Sequence, residues 1–182
     1  MAVFSRRAEL RWDGDVTEGA GLVSAGSGAF TAGATFPSTL GEPVGKTTPG
    51  ELLAASHVVC YGIGLRPLIG RRGGRARRLT VTATITTEKG PRGIRIQSAH
   101  LAAVVEGLQG LDDAQLHQVA RETEEGCTIS IAIRRTVTVS HEVVAHHADS
   151  QRNSGEVQRQ ERHQRKRSRR CSASAAGRMR CA

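Results

Sequence analysis

Hydrophobic and polar residues alternate along several stretches of the chain, and each stretch predicts an element of secondary structure. The clearest alternation runs from Leu79 to Thr86, where apolar residues take every second position. A period of two with β-branched residues on both faces predicts a strand. Ile94 and Ile96 resume the alternation after a segment with two glycines and a proline. We therefore expect a β-hairpin in an antiparallel sheet.

The N-terminal region predicts a second, smaller hairpin. Its strands are expected at Arg7 to Asp13 and Ala20 to Ser24, with a turn at Gly14-Asp15. The glycine-rich segment that follows, up to Thr35, predicts no regular element.

A long helix is predicted to begin after Thr48. Thr48-Pro49-Gly50-Glu51 supplies an N-cap, a proline at the first helical position and a glutamate three residues after the cap. The helix is expected to be disturbed by Pro67 and to stop before Gly73-Gly74. Nearly all residues of its first four turns are apolar or small, and this composition predicts a central helix buried on all sides.

A second helix is predicted to begin at Asp112, which is its N-cap, and Gln115 three residues later completes a capping box. Leu116, Val119 and Ala120 form its apolar stripe, and Glu124-Glu125-Gly126 ends it. Cys127 follows directly. The alternating residues from Ile129 to Val139 fit either a strand throughout or a helical turn followed by a strand.

Charge divides the chain into two parts. The formal net charge is +9, and residues 148–182 contribute +7 of it, with ten Lys/Arg against three Asp/Glu. This segment has no periodicity and only two large apolar residues, so it cannot offset its ordering entropy by burial. We expect one domain over residues 1–147 and a basic, disordered tail over 148–182. The abrupt change in composition also fits an extension read from another frame.

Four cysteines are candidates for chemistry: Cys60, Cys127, Cys171 and Cys181. They form no CxxC pair and no cluster, so neither a zinc site nor a secreted disulfide framework is indicated. The isolated His146-His147 pair does not indicate a metal either. No apolar run approaches the ~18 residues of a membrane span, and we expect a cytoplasmic protein without metal or cofactor.

Three motifs carry a resemblance to a known family. They are Arg11-Trp12-Asp13-Gly14-Asp15, the helix start from Thr48 to Cys60, and Glu125-Gly126-Cys127. Together with the order of the elements, they resemble the OsmC/Ohr family of osmotically induced and organic hydroperoxide resistance proteins. The resemblance covers about Ala8 to Val144. It implies an OsmC-like α+β fold with antiparallel sheets packed around two central helices, in an intertwined homodimer with active sites at the dimer interface.

The resemblance also implies a function. Cys60 would be the peroxidatic residue, and Cys127 the resolving residue of a thiol-dependent peroxidase in oxidative or osmotic stress defence. The substrate would be an organic hydroperoxide, and a dithiol would be the reductant. A thiolate attacks the O–O bond and becomes a sulfenic acid, which condenses with a second thiol to a disulfide.

Two positions depart from the family pattern. The family usually places an arginine beside the thiolate, on the strand after the first hairpin, where this chain has Phe36 to Gly41 with Thr39 at the arginine position. The glutamate that would hold the arginine is replaced by Gly50. Without a cation, the pKa of Cys60 is expected to stay near ~8.5 or to rise with burial. Our hypothesis is that Lys46, Arg7 or Arg11 acts instead across the dimer.

Two other interpretations remain open. His57, one turn before Cys60, either forms a Cys/His pair or is a polar residue satisfied at a packing surface. The cationic run from Arg162 to Arg170 suggests weak, non-specific nucleic-acid binding by an OsmC-fold protein with impaired catalysis. No aromatic residue interleaves this run, so sequence-specific binding is not indicated.

Overall fold

The computed structural model describes residues 2–41 and 43–147 of the 182-residue chain. The elements follow the order β1 Ala8–Asp13, β2 Ala20–Ala25, β3 Thr31–Ala34, α1 Phe36–Leu40, α2 Pro49–Arg71, β4 Arg78–Gly90, β5 Gly93–Leu108, α3 Asp113–Gly126, α4 Thr128–Ile133 and β6 Thr138–His147. The strands form two three-stranded sheets, β1-β2-β3 and β4-β5-β6. The predicted α+β class is confirmed, while the basic segment 148–182 and its predicted disorder lie outside the described residues.

The first sheet contains the predicted N-terminal hairpin and one strand that the sequence analysis missed. β1 and β2 pair antiparallel around a turn in which Gly14 takes a φ of 86°, a left-handed conformation that favours glycine. The missed strand is β3, whose sequence TAGA has no large apolar residue to create a pattern. This sheet contacts little beyond its own strands, and Gly21 is the one buried residue in its strands.

Helix α2 has the predicted capping box at its start. The Thr48 hydroxyl accepts a hydrogen bond from the Glu51 backbone N–H, and the Glu51 carboxylate accepts one from the Thr48 N–H, both at 3.1 Å. At the other end the helix stops at Arg71, and Gly73 takes a φ of 82°. Pro67 does not break the helix. One face of α2 is buried and carries His57, Tyr61, Leu65 and Ile69.

The opposite face of α2 is open, so the prediction of a helix buried on all sides is wrong for the single chain. Val59 and Ile63 are 57% and 69% exposed. In length and mean hydropathy, 1.5 over an 18-residue window, α2 meets the criterion for a membrane-spanning helix. The sequence analysis found no such apolar run because small and polar residues interrupt it. The buried face nevertheless belongs to the protein core, together with β5 and α3.

The second sheet differs from the prediction in the direction of one strand. β4 and β5 form the expected antiparallel hairpin, but β6 pairs parallel with β5, from Ser98 opposite Thr138 onward. The reason is topological: α3 and α4 carry the chain back across the sheet, so that β6 starts at the same end as its partner. The core lies between this sheet and the two long helices, and its β5 residues are Leu101, Ala103, Val105 and Leu108.

Helix α3 follows the sequence prediction closely. Asp112 caps it and Gln115 completes the capping box, with hydrogen bonds of 2.8 and 3.0 Å. The predicted apolar stripe is buried against α2 and β6. Because α3 ends at Gly126, the next residue, Cys127, emerges beside the middle of α2.

Candidate active site

The structure brings Cys60 and Cys127 together. Their sulfur atoms lie 3.1 Å apart, and the Cys127 thiol donates a hydrogen bond to Cys60. A disulfide needs a separation of about 2.05 Å, so a small rotation of either side chain would close the bond. Cys60 is partly exposed, whereas Cys127 is only 3% exposed. Of the pair, Cys60 is the sulfur that a molecule from solvent meets first.

The backbone on both sides fixes the position of Cys127. This residue ends α3 and begins α4. Its N–H donates to the Glu124 carbonyl at 3.1 Å, and its carbonyl accepts from the Ile131 N–H at 2.9 Å. The segment after Cys127 is therefore a helical turn followed by a strand, one of the two alternatives that the sequence left open.

Hydrogen bonds favour the thiolate of Cys60. Burial raises the pKa of this thiol, but the Thr128 hydroxyl, 3.4 Å away, and the backbone N–H of Ile129 lower it, and the net pKa lies below the ordinary value. These hydrogen bonds outweigh the expected rise of the pKa with burial, so that part of the expectation is wrong. Cys60 lies mid-helix, where the N–H groups of α2 are already paired, so the donors come from α4.

Cys127 has the opposite tendency. Burial raises its pKa, and the contact with Cys60 adds to this effect, although the backbone N–H and the hydroxyl of Ser130 act against it. The Cys60 thiol therefore ionises more readily than an ordinary thiol, and the Cys127 thiol ionises less readily. Such an asymmetry suits a pair in which one thiolate is the nucleophile and the other thiol resolves the product.

His57 belongs to the same cluster, and its described hydrogen bond is to Ser130 and not to Cys60. Its side chain is 0% exposed, and its Nε2 lies 2.9 Å from the Ser130 hydroxyl oxygen. Among the residues that the structure describes, its Nδ1 has no hydrogen-bond partner. Burial lowers the pKa of His57, and the negative charge of Glu124 opposes this shift. Of the two interpretations of His57, contact with another buried polar group describes its position better than a direct Cys/His pair.

Thr128 and Ser130 are the residues of the cluster that sequence reasoning missed. Both lie in α4, in the stretch TIS after Cys127. Isolated hydroxyl residues are common at the surface of any protein, and no motif marks these two. Only the placement of α4 against α2 gives them a role.

The two positions that depart from the family pattern lie together, away from the thiols. Thr39 is in α1, not in the expected strand, and its hydroxyl donates to the Thr35 carbonyl at 3.3 Å. Thr39 and Gly50 line one cleft of about 550 Å³, whose other walls include Ile85 and Ile94. Neither position carries a charge there.

The proposed substitute cations do not act on Cys60 within the chain. Arg11 pairs with Glu9 at 2.7 Å and is largely exposed. The groups that shift the pKa of Cys60 are hydroxyl, thiol and backbone groups, without a basic side chain among them. Within residues 2–41 and 43–147, histidine, cysteine and acidic residues form no cluster that could hold a metal. Cys171 and Cys181 lie outside the described residues.

Comparison with known proteins identifies the class of this fold. The family model for OsmC-like protein matches residues 41–142. The structure resembles the OsmC organic hydroperoxide resistance protein of Legionella pneumophila, with a TM-score of 0.64 and 23% identity over 79% of this chain and 98% of the other. It also resembles OhrB of Bacillus subtilis, with a TM-score of 0.61 and 20% identity over 79% and 100% of the two chains.

A curated relative agrees with this result. The peroxiredoxin OsmC of Escherichia coli K12 is 25% identical over 138 residues, which cover 76% of this chain and 96% of the relative. The chain belongs to the OsmC-like protein family. Its likeness to the solved structures extends over nearly the whole of each relative, so the resemblance and the OsmC-like fold inferred from the sequence motifs are confirmed.

The contribution of Thr128 to the Cys60 thiolate can be tested directly. In Thr128→Val the side chain keeps its shape but loses the hydroxyl, so the pKa of Cys60 should rise and less thiolate should exist at pH 7. We expect alkylation of Cys60 by iodoacetamide to slow about threefold to tenfold at pH 7, since one pKa unit is a tenfold change in thiolate. The difference should vanish at a pH above both pKa values.

The matched control is Thr128→Ser, which keeps the hydroxyl and should retain most of the wild-type rate. Mass spectrometry of the alkylated peptide separates Cys60 from the other cysteines. Equal alkylation rates in the valine variant and in wild type at pH 7 would show that the Thr128 hydroxyl does not stabilise the thiolate.

Proposed function

We propose that this protein is a thiol-dependent peroxidase that reduces organic hydroperoxides through Cys60 and Cys127. The observation that carries the proposal is the contact of the two sulfurs at 3.1 Å with pKa shifts of opposite direction. The named activities of the relatives, a peroxiredoxin and organic hydroperoxide resistance proteins, support a peroxidase role at the level of the family.

In the first step the Cys60 thiolate attacks one oxygen of the hydroperoxide. The S–O bond forms while the O–O bond breaks, and the alkoxide leaves and takes a proton to become an alcohol. Cys60 is then a sulfenic acid. The Thr128 hydroxyl lies 3.4 Å from the Cys60 sulfur, within range to hold the thiolate in place for this attack.

In the second step the Cys127 sulfur attacks the Cys60 sulfur. A disulfide forms and the sulfenic oxygen leaves as water. An external dithiol then reduces the disulfide and restores both thiols. Because Cys127 is already in contact with Cys60, disulfide formation competes well with further oxidation of the sulfenic acid.

The test is reaction of the purified chain with an alkyl hydroperoxide, followed by mass mapping of disulfides. A bridge between Cys60 and Cys127, formed in proportion to the peroxide consumed, is the expected result. Absence of peroxide consumption in the wild-type protein, or oxidation confined to Cys171 and Cys181, would contradict the proposal.

We further propose that the protein works as a homodimer, as expected from the family resemblance, and in the cytoplasm, as expected from its sequence. Two features of the single chain support a dimer. The apolar face of α2 with Val59 and Ile63 is exposed, and the first sheet has few contacts with the core of its own chain. Apolar surface of this kind is normally covered by a partner.

A charge on the exposed face of α2 should prevent this association. We expect Ile63→Glu to lower the apparent mass in sedimentation equilibrium from that of two chains to that of one, because the carboxylate would be buried against a second apolar surface. Thr80→Glu, on the exposed face of β4, is the control and should leave the mass unchanged. Identical masses for Ile63→Glu and wild type would contradict a dimer through α2.

The alternative function, non-specific nucleic-acid binding by an impaired family member, rests on residues 148–182 and therefore on a segment outside the described structure. The paired thiols favour the peroxidase over an impaired protein. Salt-sensitive DNA binding that disappears when residues 148–182 are removed would support the alternative for the tail.

A further inference from the structure

One hydroxyl group, that of Ser130, lies between the Cys127 thiol and a buried histidine. Cys127 contacts Cys60 on one side and is influenced by the Ser130 hydroxyl on the other. The Ser130 hydroxyl lies 2.9 Å from Nε2 of His57. The order of groups is therefore Cys60, Cys127, Ser130 and His57, and the last three are almost completely excluded from solvent.

His57 is an unusual group to find in this position. It is 0% exposed, and its Nδ1 has no partner in the described part of the chain, although buried polar groups in proteins are nearly always paired. A histidine that only fills the core is less stabilising than an apolar residue, because burying an unpaired polar atom costs free energy. In the tautomer with its hydrogen on Nδ1, Nε2 of His57 accepts a hydrogen bond from the Ser130 hydroxyl and can take that proton.

The Ser130 hydroxyl suits the role of a link. Cys127 begins α4, and both the backbone N–H and the hydroxyl of Ser130 lie close enough to its sulfur to lower its pKa. Ser130 comes three residues later, the position whose side chain turns back toward the cap residue in many helices. A hydroxyl both donates and accepts, so it can pass a proton from the sulfur to the ring.

We propose that His57, acting through the Ser130 hydroxyl, receives the proton of the Cys127 thiol when Cys127 attacks Cys60. This inference rests on the proposed function, whose second step it deepens. His57 is a positioning residue in this scheme, because it reaches the reacting sulfur only through Ser130.

The proton balance of the step is complete. In the reduced protein the Cys127 hydrogen points to Cys60, and it turns to the Ser130 oxygen before the attack. As the Cys127 sulfur bonds to the Cys60 sulfur, this proton moves to the Ser130 oxygen, and the proton of Ser130 moves to Nε2 of His57. The S–O bond of the sulfenic acid breaks, and the leaving hydroxide takes a proton from solvent to become water. The imidazolium of His57 later returns its proton to solvent, so the net products are the disulfide and water.

The groups around His57 determine whether its ring is neutral and able to accept a proton. The titratable or charged groups around it are Cys60 and Tyr61 on its own helix, Glu124 on α3, Cys127, and Arg134, which pairs with Glu124 at 3.1 Å. Burial keeps His57 neutral near pH 7, and Glu124 supports the charged form once the proton arrives. The step should therefore slow as pH falls through the pKa of His57.

The experiment uses dithionitrobenzoate in place of peroxide, with the full chain carrying Cys171→Ser and Cys181→Ser. Attack by Cys60 releases a first coloured thiolate and leaves a mixed disulfide on Cys60. Displacement by Cys127 releases a second one. The second release measures the attack of Cys127 on the Cys60 sulfur, so the relay is tested even if the protein reduces no peroxide.

In His57→Gln and Ser130→Ala we expect the second release to slow by about tenfold or more, the low end of a general-base contribution, while the first release changes far less. Ser130→Thr should restore the rate because it returns the hydroxyl. The wild-type rate should show an acid inflection that His57→Gln lacks. Thr123→Val, which removes a buried hydroxyl bonded to the Val119 carbonyl at 2.7 Å, is the matched control and should behave as wild type.

Two results would overturn the relay. One is a second release in Ser130→Ala as fast as in wild type. The other is an unchanged pH profile in a folded His57→Gln protein, with folding checked by circular dichroism; if that variant fails to fold, Ser130→Ala and Ser130→Thr decide alone. A normal second release with no peroxide consumption would instead sink the proposed peroxidase function and leave the relay standing.

Discussion

Replacing Cys60 by serine should abolish peroxide reduction. A serine hydroxyl is not ionised at neutral pH, and the hydrogen bonds from Thr128 and Ile129 that stabilise a thiolate have no charge to act on. We expect the rate of alkyl hydroperoxide consumption, in the presence of a dithiol, to fall on the order of a thousandfold or more, as when a nucleophile is removed from other enzymes.

The matched control for this prediction is the variant with both Cys171→Ser and Cys181→Ser. This double variant removes two sulfur atoms, one more than Cys60→Ser, and leaves the paired thiols intact. It should consume peroxide at the wild-type rate. Peroxide consumption that persists in Cys60→Ser and disappears in the tail variant would show that the tail cysteines, and not Cys60, carry the activity.

Replacing Cys127 by serine should leave the first step intact and allow excess hydroperoxide to over-oxidise Cys60. The Cys60 sulfenic acid would still form but would lack the sulfur that lies 3.1 Å away in the wild-type protein. With excess hydroperoxide and no reductant, we expect intact mass spectrometry to show a gain of two or three oxygens in the variant and a loss of two hydrogens in wild type.

A trapping reagent for sulfenic acids completes this test. Dimedone should label Cys60 strongly in Cys127→Ser after one equivalent of peroxide and weakly in wild type, where the disulfide forms first. Equal labelling of the two proteins, or equal resistance to over-oxidation, would mean that Cys127 does not resolve the sulfenic acid.

The accuracy of the fold prediction depended on how strongly each segment carried a local pattern. The helix starts at Thr48 and Asp112 were predictable because a capping box is a contact between residues three apart. The strand β3 and the direction of β6 were not. The first has only small residues, and the second depends on how far α3 and α4 carry the chain, which is a property of packing rather than of pattern.

The same distinction applies to the candidate site. Cys60 and Cys127 were found because the motifs around them resemble a family. The lowered pKa of Cys60 was missed because the search was for a nearby cation, whereas the stabilising groups are a hydroxyl and backbone N–H groups. Donors of that kind are present in every sequence. Their effect exists only where a tertiary contact, here α4 against α2, aims them at one sulfur.

The parallel pairing of β5 with β6 bears on when the thiols acquire their reactivity. The connection between these strands contains α3, Cys127 and α4, so the docking of β6 onto β5 fixes the far end of the segment that holds Cys127 beside Cys60. Pairing between strands so far apart in sequence comes at a high entropic cost and forms slowly. A newly made chain would therefore carry two ordinary thiols, and the oxidant-sensitive thiolate would appear only with the completed domain.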